Sequence, residues 1–153
     1  MLDLGKRIRR PEELDEFMQK LVSSEGVFTN MADALVYAAA LAFYEHLPRK
    51  AFVKTGEQIA STVFLNAGYD GFIAMLAAEA AGDYDILGTD RQDERLLIFE
   101  ELANAGLQRM HTILSTDTRH PVEVIRDLTL RAFTESASHF VPDLDHLISE
   151  LDA

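Results

Sequence analysis

The sequence predicts an all-α fold: a compact single-domain bundle of six or seven helices around an Ala-rich central helix. Three observations predict it. Apolar residues recur at three- and four-residue spacing in segment after segment. No segment alternates apolar and polar residues over a sustained run bounded by hairpin turns, and β-branched residues are thinly scattered. Helix-start and helix-stop residues fall at the ends of the periodic stretches.

The basic residues Lys6, Arg7, Arg9 and Arg10 mark an N-terminal segment, residues 1–10, and residues 11–153 are expected to form one all-helical domain. Pro11-Glu12-Glu13 puts Pro at a first helical position with acids beside the positive helix end. Leu14, Phe17, Met18 and Leu21 follow on one face, and Ser23-Ser24-Glu25-Gly26 breaks the helix. Asn30 caps a second helix, with Asp33 three residues on in a weak capping-box arrangement. From Ala32 to Tyr44 every residue but Asp33 is apolar. A helix apolar on all faces belongs in the middle of a fold, and its alanines let neighbours approach closely; Pro48 ends it.

Gly56-Glu57 opens a third helix carrying Ile59, Ala60, Val63 and Phe64, which stops at Asn66-Ala67-Gly68. Asp70 caps a fourth, with Phe72, Ile73, Met75, Leu76 and Ala80, closed by Gly82. Residues 83–88 read as a compact linker pinned to the core by Ile86 and Leu87. The longest helix runs from about Gln92 to Leu114, with Leu96, Phe99, Ala103, Gly106, Leu107 and Met110 on one stripe. His120-Pro121 starts another through Ile125, Leu128 and Phe133, and Asp143 caps a last short one with Leu144, Leu147, Ile148 and Leu151.

With 153 residues, 48% of them hydrophobic and 26% charged, the chain is large enough for one core without staples. The absence of cysteine excludes a disulfide scaffold, a thiolate zinc site, an iron–sulfur protein and a Cys nucleophile, and it fits a reducing compartment. The start has no apolar run of secretory length, and the densest apolar stretch, Ala34 to Tyr44, is too short to span a bilayer. A cytoplasmic protein without membrane contact is expected.

The net charge of −12 is uneven. Residues 1–54 hold eight basic and eight acidic side chains, and residues 55–153 hold six basic and 18 acidic. Such a body repels phosphate backbones at long range. Two readings stand for Lys6, Arg7, Arg9 and Arg10: a solvated tail, or a contact to DNA or to an acidic partner.

Catalytic signatures are missing. There is no phosphate-cradling Gly-rich loop, no His-Glu-x-x-His zinc helix and no Gly-x-Ser-x-Gly elbow. Asp117-x-x-His120 and Asp143-x-x-His146 are the nearest approach to metal spacing, and neither presents paired ligands on a helix face. No cofactor, metal or catalytic residue is expected, and the balance leans away from an enzyme.

Glu100, Glu101 and Asn104 interrupt the apolar positions of the long helix, and Gly106 follows in mid-helix, where Gly costs about 1 kcal/mol against Ala. Either a carboxylate accepts bonds from a neighbouring loop while Gly106 admits a crossing helix, or Glu100, Glu101, Asn104 and Gly106 form a partner- or ligand-binding groove. A further alternative concerns residues 7–42, which have the order of a ribbon-helix-helix module: basic strand, helix, turn, helix. In that arrangement a ribbon from two subunits enters the major groove, and the chain would be a dimeric DNA-binding regulator.

Arg10-Pro11-Glu12, Val27-Phe28, Asp33-Ala34-Leu35 with Ala38-Ala39, Gly56-Glu57-x-Ile59, Val63-Phe64, Gly82-Asp83-x-Asp85-Ile86-Leu87 and Ile98-Phe99-Glu100-Glu101-x-Ala103-Asn104-x-Gly106-Leu107 resemble small bacterial proteins of the fourth Dnd system-associated, or DNA phosphorothioation-associated, family. The likeness runs from about residue 9 to residue 130, and residues beyond it look peculiar to this chain. It departs at Ala42-Phe43, where Gly-Tyr is expected, and at Leu102, where an aromatic is. The resemblance implies a setting in which sulfur replaces a phosphate oxygen in DNA and companion proteins restrict unmodified DNA. It assigns no catalytic residue. The expectation is a non-catalytic accessory protein of such a defence system, meeting other proteins of the system, with homodimerisation open and DNA reached indirectly or through the N-terminal segment.

Overall fold

The computed structural model describes residues 2–140, with side chains through residue 136. In chain order the elements are β1 (Arg7–Pro11), α1 (Asp15–Val22), α2 (Met31–Tyr44), β2 (Thr55–Ala60), α3 (Ser61–Asn66), α4 (Asp70–Ala81), α5 (Gln92–Thr116) and α6 (Pro121–Phe140). Short 3-10 turns lie at Glu12–Leu14, Tyr84–Leu87 and Thr89–Arg91. The chain forms two compact units, one ending at Thr118 and one beginning at Arg119.

Helices dominate, but the fold is not all-α. β1 and β2 form a two-stranded antiparallel sheet with Arg7 opposite Ala60, Ile8 opposite Ile59 and Arg9 opposite Gln58, and the register shifts between Arg9 and Pro11. This corrects two expectations. Thr55–Ala60 is a strand and not the start of the third helix, which begins at Ser61. Pro11 ends β1, and the helical turn after it starts at Glu12. The physical reason is non-local: Ile59, Ala60, Val63 and Phe64 have helical spacing, but pairing with a strand nearly fifty residues earlier outweighs a weak local pattern.

Elsewhere local signals settle the ends. The Asn30 side chain accepts from the Asp33 N–H at 2.9 Å and starts α2. Gly82 closes α4 at φ 63°, a left-handed value that glycine adopts without penalty. Asp70 lies in the first turn of α4, whose cap position is Tyr69, and no side chain caps that start. The 84–87 turn is pinned by Ile86, which is buried; Leu87, expected to help, is exposed.

The core of the first unit is the crossing of α2 and α5. Ala34, Ala38, Ala39 and Ala42 of α2 are buried against it, with Leu35, Phe99, Leu107 and Met110. Phe64 of α3 meets Phe99 edge-to-face at 5.9 Å, a geometry worth about 0.5–1.5 kcal/mol beyond the area it buries. In the second unit, the Val122 N–H donates to His120 Nδ1 and Arg119 pairs with Asp127 at 2.6 Å, fixing the first turns of α6. The short helix expected at Asp143 lies outside the described residues. Among the described residues no helix is long and apolar enough to cross a membrane.

Candidate functional site

The two groups of residues singled out in the sequence meet in the structure. Arg9 on β1 and Glu100 on α5 join through three hydrogen bonds: the Arg9 backbone N–H donates to Oε1 at 2.8 Å, and Nε and Nη2 donate to Oε2 at 2.8 and 2.6 Å. Glu100 is 4% exposed. Its carboxylate takes a main-chain donor and a guanidinium together, the arrangement a desolvated charge requires. The hydrogen bond to Glu100 raises the Arg9 pKa above its ordinary value against the opposing effect of burial. The Arg9 guanidinium also lies 5.3 Å from the centre of the Phe52 ring, within cation–π range.

Glu101, the next residue, turns to the loop after α2. Its carboxylate accepts from Arg49 Nε at 2.9 Å and its carbonyl from the Lys50 N–H at 3.2 Å. One turn further along, Asn104 is fully buried; its Nδ2 donates to the carbonyls of Lys50 and Ala51 at 3.0 and 3.3 Å, and its Oδ1 accepts from Gln108 Nε2. Lys50 Nζ donates to Gln108 Oε1. Glu100, Glu101 and Asn104 thus form a polar seam along α5 that fastens β1 and the 49–51 loop to the helix. Gly106 lies beyond the seam, where α5 presses on α2: a Cβ there would overlap the Ala38 carbonyl.

Two of the other three basic residues of the N-terminal segment are also engaged. Lys6 Nζ lies 2.7 Å from Asp93 Oδ1, and that bond raises the Lys6 pKa. Arg10 is 3% exposed; its Nε donates to the Glu57 carbonyl, and its Nη2 lies 3.0 Å from both Glu57 Oε2 and Asp15 Oδ1. The Asp15 contact is an ion pair by distance that lacks hydrogen-bond geometry. Arg7 is exposed and has no partner among the described residues. Of the four, Arg7, Arg9 and Arg10 lie on β1, and Lys6 immediately precedes it. The strand–helix–turn–helix order of residues 7–42 is present, but β1 pairs within its own chain, and its Arg9 N–H is taken by Glu100.

Sequence reasoning missed Arg49, Phe52 and Glu57 as partners in this network. The available signal was the charge balance, since an even N-terminal third beside an acidic remainder is what pairing between them produces. Among the described residues no group of three or more His, Asp or Glu is arranged to hold a metal ion. His111 packs its ring on Phe17 at 4.8 Å. The Asp143-x-x-His146 pair lies outside the described residues.

The chain matches the family described as DNA sulphur modification system-associated protein 4 over residues 7–146. The match extends past residue 130, so residues 131–146, expected to be peculiar to this chain, share the family pattern. No curated protein and no solved structure matches the chain. The matched stretch takes in the clamp between β1 and α5, the seam on α5 and the α2–α5 crossing, and the chain belongs to the DNA sulphur modification system-associated protein 4 family.

Proposed function

We propose that the chain is a non-catalytic accessory protein of a DNA phosphorothioation-linked modification–restriction system, acting in defence through contact with other proteins of that system. The observation that carries this reading is the internal use of the basic N-terminal residues. Lys6, Arg9 and Arg10 are committed to Asp93, Glu100, Asp15 and Glu57, leaving Arg7 of the four to meet an outside partner. Phosphate binding needs several such cations free at once, because affinity grows with each phosphate neutralised. A chain with 26 acidic and 14 basic residues instead favours a basic protein surface. In this reading the partner meets the acidic surface carried by residues 55–118, which hold 11 acidic and three basic side chains. The buried Glu100, Asn104 and Gly106 act by holding that surface in place.

The test is affinity purification of the full chain from its native host after nuclease treatment of the lysate. Recovery of protein components of the sulphur modification system, weakened by high salt and unchanged in Arg7→Ala, is expected. Recovery of none of them would sink the proposal. A duplex-DNA gel shift abolished by Arg7→Ala would replace it with the regulator reading.

A further inference from the structure

Arg95 on α5 is 7% exposed, and no carboxylate among the described residues pairs with it. In this it differs from Arg9, Arg10, Arg49, Arg91 and Arg109, each of which has an acidic partner. Its Nη1 donates to the carbonyls of Ile86 and Gly88 at 2.5 and 2.6 Å, holding the 84–88 turn. Among the described residues its Nε and Nη2 find no hydrogen-bond acceptor, and neither is among the sealed unpaired atoms of the interior. These two nitrogens form one edge of the guanidinium, the edge that grips a carboxylate through two parallel bonds.

Arg95 lines a cavity of about 60 Å³ with Leu2, Asp70, Ile73, Ala74 and Leu87. About 10–15 Å³ is enough for one water, so there is room for a group of a few heavy atoms. Asp70 and Ile73 come from the first turn of α4 and Ala74 follows it; the start of α4 carries no side-chain cap, and its dipole favours negative charge. A buried guanidinium with an unused edge calls for an anion. The rest of the lining sets which one. The Asp70 carboxylate opposes a second negative charge, which disfavours a phosphate dianion. Leu2, Ile73, Ala74 and Leu87 give an apolar wall for a short stem.

We propose that this cavity is a carboxylate-binding site, in which the Nε–Nη2 edge of Arg95 holds the carboxylate of a short aliphatic acid or of a peptide C-terminus. The site goes beyond the accessory role and does not depend on it.

The test is a titration of the isotope-labelled full chain with sodium propionate, followed by amide chemical shifts at Ala74 and Arg95, with inorganic phosphate in parallel. Saturable shifts with propionate, at least several-fold weaker with phosphate, are expected. Asp70→Asn should tighten propionate several-fold by removing the opposing charge. Ala74→Leu fills the cavity while leaving the carbonyl bonds of Arg95 in place, and should abolish the response. A peptide that displaces propionate with a free C-terminus but not with an amidated one identifies a chain end as the source; displacement by neither identifies a free acid. No saturable shift with propionate, tighter binding of phosphate, or a response that survives both Ala74→Leu and Arg95→Gln overturns the proposal. Arg95 would then serve only to hold the 84–88 turn.

Discussion

Gly106 of α5 rests directly on the main chain of Ala38 in α2, with no space between the helices for even a methyl group. The obstacle is backbone, which cannot rotate aside as a side chain can. Gly106→Ala gains about 1 kcal/mol of helix propensity. Forcing α2 and α5 apart costs about 3 kcal/mol or more, because the crossing is the centre of the core. The variant is expected to lose at least about 2 kcal/mol in urea denaturation. Unchanged stability would mean that the helices do not approach this closely.

The Arg9–Glu100 clamp is unequal in burial, since the Arg9 side chain is 39% exposed and that of Glu100 is 4% exposed. Removing the cation strands a desolvated carboxylate with one main-chain donor; neutralising the acid leaves a guanidinium that water can reach. Arg9→Met is therefore expected to cost about 3 kcal/mol, and Glu100→Gln, which keeps an acceptor for the Arg9 N–H, about 1 kcal/mol. The double variant should cost less than the sum. Equal single losses that add in a denaturation cycle would show that burial does not govern the pair.

The helices were legible because their signals are local: Asn30 caps α2, Gly82 closes α4, and the stripe from Leu96 to Met110 marks α5. The sheet was not. β1 spans five residues with Ile8 and Pro11 as its buried apolar side chains, and β2 reads Thr-Gly-Glu-Gln-Ile-Ala, mostly polar. Each strand depends on the other, and nothing in either short run announces a distant partner. The seam was half legible. Glu100, Glu101, Asn104 and Gly106 stand out as exceptions within an apolar stripe, but which groups answer them depends on where β1 and the 49–51 loop lie. Arg95 carried no sequence signal, because an arginine in the first turn of a long helix is ordinary until its surroundings show that no acid reaches it.

Asn104 separates shape from charge. Its Nδ2 faces the Lys50 and Ala51 carbonyls with no exposure to water. Asn104→Ala leaves those acceptors short of a donor, at about 2 kcal/mol. Asn104→Asp keeps the outline of the side chain but brings a carboxylate oxygen against two carbonyl oxygens. It should therefore cost more than the alanine variant at neutral pH, about 3 kcal/mol or more. Thermal unfolding of the two variants at pH 7 checks the order, and a more stable aspartate variant would mean that the amide is not oriented toward the loop.

Arg91 ties part of the first unit's stability to pH through two carboxylates. Its Nη1 donates to Asp83 at 2.8 Å, and its Nε and Nη2 to Glu94 at 3.0 and 2.7 Å. The bond from Arg91, followed by the Asp85 N–H, lowers the Asp83 pKa below its ordinary 3.8, and the bond from Arg91 lowers Glu94 below 4.5. Folded values below unfolded ones mean that this stabilisation is fully present above about pH 4.5 and is lost as pH falls through the folded values. Arg91→Gln should therefore unfold at lower temperature than the parent at pH 7, and the gap between the two should close as the pH falls through the folded values of the two carboxylates. These groups are exposed, so about 0.5 M salt should shrink the gap at pH 7. A gap that stays constant from neutral to acid pH would assign the effect of Arg91 to packing of its stem and not to the two carboxylates.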